Sequence, residues 1–371
     1  MSLVRTFTLL VLWGTAIRGM AAELPKTLEI GAPAPDFNLP GVDGRNHRLS
    51  DYSDASILAV VFTCNHCPTA QAYEKRIQAL ADDYRGKGVA LVAISPNDPL
   101  AVRLDELGYT DLSDSLEEMK IRARDHHFTF PYLYDGENQK VSLAYGPTAT
   151  PHVFIFDKAR KLRYAGRIDD AEKPAKVAST DTRNAIEALL AGRPVPVEKT
   201  RTFGCSIKWS DKRSTVKAGF DKWANEPVSV EPIDAAGVQA LVRNDSNKVR
   251  LINLWATWCG PCVIEFPELV AINRMYRGRD FELITISADA PENKEAVLSF
   301  LKKQQASSKN YIFSHDDKYK LMSAIDKESP GSLPYTIVVE PGGKIIYRIP
   351  GELSPLNLKR AIVERIGRYY P

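Results

Sequence analysis

Cysteine is scarce in this chain, with five among 371 residues, too few to staple a small disulfide scaffold. Charge of one sign is lacking as well. Lys and Arg number 49 against 46 Asp and Glu, a formal +3, which gives no electrostatic footprint for nucleic acid. Long apolar runs are absent apart from a short one near the start, so a largely membrane-embedded chain is excluded. There is no P-loop or dinucleotide fingerprint, because GVDG at Gly41 to Gly44 lacks the strand–helix setting such a loop needs. No cofactor and no metal are expected. What remains is ordinary globular composition, 44% hydrophobic and 26% charged. At roughly 150 residues per domain, the length suits two domains.

Residues 1–22 read as a leader. Arg5 precedes an apolar run from Phe7 to Ile17, and Gly19 and Ala21 stand at the −3 and −1 positions of a cleavage site before Ala22. This is the pattern of an export signal, and the run is short for a bilayer span. The expected location is periplasmic or extracytoplasmic. Arg18 behind the apolar stretch is unusual for a signal, so membrane contact is expected only if the segment stays uncleaved.

One architecture then occurs twice. In the first copy Ile57 to Phe62 is a continuous apolar run of strand length, followed by TCNHCP at Thr63 to Pro68 and a helical pattern through Ala72, Ile77 and Leu80. Val89 to Ile94, His152 to Phe156 and Leu162 to Tyr164 read as strands, and Thr182 to Leu190 as a closing helix. In the second copy Val249 to Trp255 is the strand, WCGPC at Trp258 to Cys262 follows, and a helix runs through Phe266, Leu269 and Ile272. Phe281 to Ile286, Thr336 to Val339 and Ile345 to Arg348 are strands, and Leu356 to Ile366 the last helix. The expected organisation is a leader (1–22), a first domain (27–192), a connector (193–226) and a second domain (227–371), each domain an α/β unit with a mixed sheet covered by helices. Phe203, Cys205, Ile207 and Trp209 alternate within the connector, which points to local structure there rather than a flexible linker.

Four of the cysteines form two C-x-x-C pairs, Cys64/Cys67 and Cys259/Cys262, each between a buried strand and a helix. A first cysteine at a helix N-terminus faces unpaired N–H groups and the positive end of the helix dipole, which favours its thiolate. The second cysteine, one turn later, is placed to resolve a mixed disulfide. A four-cysteine zinc site normally keeps its pairs 15 to 20 residues apart, whereas Cys67 and Cys259 are separated by more than a whole domain. Inert disulfides are the other alternative, but so small a loop constrains the unfolded chain little. Cys205 is expected to be buried and inert, with pairing to another chain and a relay between the two sites as the alternatives.

LWATWCGPCVIEFPEL, Leu254 to Leu269, resembles the thioredoxin-like thiol–disulfide oxidoreductases of the TlpA/ResA type. APDFNLPGVDGRNHRLSDY, VVFTCNHCP and TATPHVFIFD resemble the redoxin branch, the AhpC/TSA-like proteins. The resemblance implies two thioredoxin-like domains and dithiol–disulfide exchange with protein thiols and disulfides, fed by a protein electron donor. It implies a cis-proline facing each pair, at Thr150-Pro151 and Leu333-Pro334, with the backbone just before it pairing with a bound substrate chain. Cys64 and Cys259 would attack; Cys67 and Cys262 would resolve. Trp258 opens the second motif. Glu265 matches a glutamate of ResA-type proteins that handles protons at the buried thiol, and Ala70 stands in its place in the first copy.

His66 precedes Cys67 as in the strongly oxidising C-P-H-C proteins of the DsbA type, and is expected to stabilise the Cys64 thiolate. The first pair would then be the more oxidising. The peroxidase pattern of related proteins places a threonine three residues before the cysteine; here that position is Val61. Peroxidase activity in the first domain, a client-binding module, and copper held by Cys64, Cys67 and His152 are the alternatives.

Overall fold

The computed structural model describes residues 25–369, so the leader lies outside the described residues. Among those residues no helix is long and apolar enough to cross a membrane. The chain opens with an antiparallel hairpin, β1 (Asn38–Pro40) and β2 (Asn46–Arg48). It continues through β3 (Ile57–Phe62), α1 (Pro68–Asp83), β4 (Val89–Ser95), α2 (Leu116–Asp125), β5 (Tyr132–Tyr134) and α3 (Lys140–Tyr145). β6 (His152–Phe156), β7 (Leu162–Gly166) and α4 (Asp181–Leu190) complete the unit.

The first sheet has the order β5-β4-β3-β6-β7. β3 is buried along its whole length, parallel to β4 and antiparallel to β6. Its alternation assigns the two faces. Ile57, Ala59 and Val61 join Tyr73, Ile77 and Leu80 of α1, while Leu58, Val60 and Phe62 join Tyr145, Phe154 and Phe156 on the other side. A strand covered on both faces has no polar side to show, which is why it reads as one apolar run.

The connector carries α5 (Arg213–Ala224). The second unit follows with β8 (Glu231–Ile233), α6 (Ala235–Arg243), β9 (Val249–Trp255), α7 (Gly260–Tyr276), β10 (Phe281–Ser287) and α8 (Lys294–Lys303). It ends with β11 (Lys309–Phe313), α9 (Lys318–Ile325), β12 (Tyr335–Val339), β13 (Ile345–Pro350) and α10 (Pro355–Ile366). Its sheet runs β13-β12-β9-β10-β11-β8. Leu251 and Trp255 of β9 pack on the α7 side with Phe266 and Leu269, and Ile252 and Leu254 on the opposite side with Leu321 of α9. Asn253 falls on the α7 side by the same alternation.

The two units are docked. The Tyr276 hydroxyl donates to the Thr110 carbonyl at 2.7 Å and Arg279 donates to the Gly108 carbonyl at 2.8 Å. Asp111 accepts from Arg360 at 3.0 Å and Arg368 at 2.6 Å, and Val102 and Leu107 enter the core of the second unit. The connector, far from loose, is stitched to the first unit. Ala165 N–H donates to the Glu198 carbonyl at 2.9 Å, Thr150 N–H to the Cys205 carbonyl at 3.0 Å, and Asp98 N–H to the Lys208 carbonyl at 3.0 Å.

Candidate active site

The two C-x-x-C pairs sit alike in sequence but differ in helix register, and proline position is the reason. In CNHCP the proline follows the second cysteine. It takes the first helical position of α1 and holds the preceding residue extended, so Cys67 becomes the N-cap and its sulfur accepts the Ala70 N–H at 3.4 Å. In WCGPC the proline lies between the cysteines. α7 starts at Gly260, Cys259 is the N-cap, and its sulfur accepts the Cys262 N–H at 3.3 Å. The expectation of a first cysteine at the helix end therefore holds for Cys259 and is corrected for Cys64.

Cys259 and Cys262 form a disulfide with a Cα–Cα separation of 5.3 Å. The sulfurs are buried, but their rim is open: Gly260 and Pro261 are exposed, Trp258 is 61% exposed and Ile264 77%. Three residues past Cys262 on α7 lies Glu265, buried and accepting from Leu353 N–H at 3.0 Å and Asn253 Nδ2 at 3.3 Å. Burial pushes its carboxyl above the ordinary value, and these two donors only partly offset it. Between the ordinary and the raised value the folded state holds the proton that the unfolded state has lost. Stability of this unit should therefore fall as pH rises through that window. Thermal melts from about pH 4 to 7 should show this slope in the wild type and its loss in Glu265→Gln; parallel profiles would remove Glu265 as its source.

Cys64 and Cys67 are thiols, 2% and 0% exposed. Cys64 Sγ lies 3.2 Å from Thr150 Oγ1. Cys67 Sγ faces the Thr150 carbonyl at 3.5 Å and accepts the N–H of Cys205 at 3.4 Å. His66 is buried and does not reach out to solvent. Its Nδ1 is 2.5 Å from Asp114 Oδ2; since Asp114 is held below its usual range and is a carboxylate, Nδ1 is the donor. Asp114 also accepts from Asn97 Nδ2 at 2.8 Å and from the N–H groups of Asn65 at 2.8 Å and His66 at 3.1 Å.

Burial alone would lower the His66 pKa, but Asp114 outweighs it and raises it. Burial likewise opposes a charge on Cys67, yet Cys205, Cys64, His66 and the Ala70 N–H together hold its thiol well below the ordinary value. Burial, Cys67 and Asp114 push Cys64 well above. His66 thus lowers the Cys67 thiol and not that of Cys64, which corrects the assignment of His66 to the Cys64 thiolate.

Both prolines expected to be cis are cis, Pro151 after Thr150 and Pro334 after Leu333. Among the described residues one metal-capable set converges, Cys64, His66 and Asp114, with ligand atoms within 4.8 Å. Asp114 already receives four donors, which fills its lone-pair directions, so the set is a hydrogen-bonded ion pair and not an open ligand cage. His152 is not in it: its Nδ1 accepts the Thr148 N–H at 3.2 Å, and burial lowers its pKa to about 4.

The AhpC/TSA family matches residues 30–165 and the Redoxin family residues 235–364. The thiol-disulfide oxidoreductase ResA of Bacillus cereus is 29% identical over 133 residues, 34% of this chain and 68% of that protein. This chain is a tandem redoxin protein of the thiol–disulfide oxidoreductases. The thiol:disulfide interchange protein HelX of Rhodobacter capsulatus is 27% identical to the oxidoreductase over 128 residues, 34% of this chain and 66% of that one. An uncharacterized conserved protein of Geobacillus kaustophilus, of known structure, is 39% identical and covers 49% of the oxidoreductase and 93% of its own chain, with a TM-score of 0.43.

Two participants were missed in the sequence of the oxidoreductase. Asp114 lies 48 residues from His66 in a polar stretch, and no local pattern marks it. Cys205, expected to be buried and inert, is half-buried and packs against the first pair. Its alternation with Phe203 and Ile207 was the available signal, because it turns the cysteine to the same side as two core residues.

Proposed function

We propose that the oxidoreductase is exported and exchanges dithiols and disulfides with protein partners at two C-x-x-C sites. Its domains span 27–192 and 227–371, joined by the connector 193–226. The observation that carries this reading is the second pair: Cys259 at the N-cap of α7, beside an exposed apolar rim of Trp258 and Ile264. Helix-end N–H groups favour the Cys259 thiolate, which attacks a substrate disulfide. Cys262 then attacks Cys259 in the mixed disulfide, releasing the substrate dithiol and closing the Cys259–Cys262 disulfide. Leu333, before Pro334, offers its backbone to the substrate chain, and Glu265 takes up or returns the proton of Cys262.

Cys64 and Cys67, the first pair, form the other exchange site, with Thr150 and Pro151 as the corresponding wall and His66 setting its charge. Export rests on the pattern of residues 1–22, and reducing equivalents come from a protein donor. Insulin reduction driven by dithiothreitol tests the reading. Cys259→Ser should fall to the rate of dithiothreitol alone at the second site, read in a background lacking Cys64 and Cys67. Cys262→Ser should accumulate a mixed disulfide through Cys259. If Cys262→Ser captures no substrate chain, the exchange mechanism fails for this site.

A further inference from the structure

The connector runs along the backbone just before Pro151, the wall proposed above for a substrate chain. Residues 204 and 205 run antiparallel to Thr150, bridged by the Thr150 N–H to the Cys205 carbonyl. The approach is close enough that a Cβ on Gly204 would fall 2.0 Å from the Thr150 carbonyl oxygen, and Gly204 has a φ of +137°. Only glycine suits both conditions. On either side the strand is pinned by side chains pointing inward: Phe203 against the Tyr73 ring, with centroids 6.0 Å apart, and Ile207 in the interior. Lys208 is held further along by the Asn97 side chain, at 2.9 Å, and by Glu106, at 2.6 Å. Cys205 is therefore anchored to the first unit and is no shuttle to the second.

Three sulfurs meet here. The Cys205 N–H points at Cys67 Sγ at 3.4 Å, its side chain hydrogen-bonds the same sulfur, and it packs on the cluster of Cys64, Cys67 and Ala70. Cys205 is the least buried of the three.

We propose that Cys205 is the third redox cysteine of the first site, a tethered internal substrate through which the covered pair exchanges with the outside. This rests on the two-site reading above. When Cys64 and Cys67 are a disulfide, the Cys205 thiolate, its proton lost to solvent, attacks Cys67 Sγ. The Cys67–Cys205 bond forms as the Cys64–Cys67 bond breaks. The electron pair leaves on Cys64, which takes a proton from solvent. One disulfide is exchanged for another, with no net oxidation. A thiolate of a protein partner then attacks the Cys205 sulfur, and Cys67 leaves as the stabilised thiolate.

Oxidation of the full mature chain by glutathione disulfide, followed by non-reducing peptide mass spectrometry, tests this. Cys64→Ser should yield Cys67–Cys205 as its main disulfide. If Cys67 instead carries glutathione while Cys205 remains open to alkylation, the proposal is overturned. Cys205→Ser should still form Cys64–Cys67 at equilibrium, but about tenfold or more slowly, since thiol exchange is set by access to the sulfur attacked. An equal or faster rate would make the connector a mere lid and overturn it as well. Failure of Cys64–Cys67 to form in the wild type would overturn the two-site reading itself.

Discussion

Asp114→Ala is expected to destabilise the first unit by about 3–5 kcal/mol, the range for removing one partner of a buried ion pair. Asp114 and His66 are both buried, and the carboxylate also satisfies Asn97 and two backbone N–H groups at the start of the TCNHCP turn. Its removal strands all four donors. The pH dependence should change with it. His66 has a raised folded pKa, so its contribution is complete below its unfolded value near about 6.5 and disappears as pH rises through the folded value. Asp114 has a lowered one, so its contribution is complete above its unfolded value near about 3.9 and disappears as pH falls through the folded value. Wild-type melts should therefore weaken at both acid and alkaline ends, and Asp114→Ala should flatten both limbs. A variant that melts within about 1 kcal/mol of wild type, in the range of ordinary point substitutions, would show that the pair is not holding the turn.

The second large effect concerns potential. A stabilised thiolate favours the dithiol form, so the Cys64/Cys67 pair should titrate as the more oxidising of the two in glutathione and dithiothreitol buffers. The Cys67 sulfur collects two backbone N–H groups and the His66 cation. Cys259, by contrast, caps its helix with the single N–H of Cys262 and faces an open rim. His66→Ala should lower the potential of the first pair by about 30–60 mV, or ~1.4–2.8 kcal/mol for two electrons. The potential of the second pair should not move. Coincident potentials in the wild type would make the sites parallel stations with different partners rather than a graded pair.

The long buried strands and the two motifs were legible because their signals are local. Ile57 to Phe62 and Val249 to Trp255 carry continuous apolar runs, and each cysteine pair follows its strand directly. The short elements were not. β5 and β8 span three residues each, too few for any periodicity, and both are placed by the neighbours they pair with. The helix register at the first pair was written in the sequence as Pro68 and went unread, since the C-x-x-C spacing alone suggests that both helices begin alike. Asp114 and Cys205 illustrate the deeper limit. Each acts on residues tens or more positions away, and only the closed chain brings its carboxylate or sulfur to the pair.

α7 does more than carry the second pair. It is 17 residues long, about 25 Å at 1.5 Å per residue. Its last residue, Tyr276, touches the first unit through Thr110, while Cys259 caps the other end. The helix thus spans the distance between the face that joins the two halves and the sulfur that meets a partner. The joint is made at one end and the chemistry at the other, so a protein can be held at Trp258 and Ile264 without prising the halves apart.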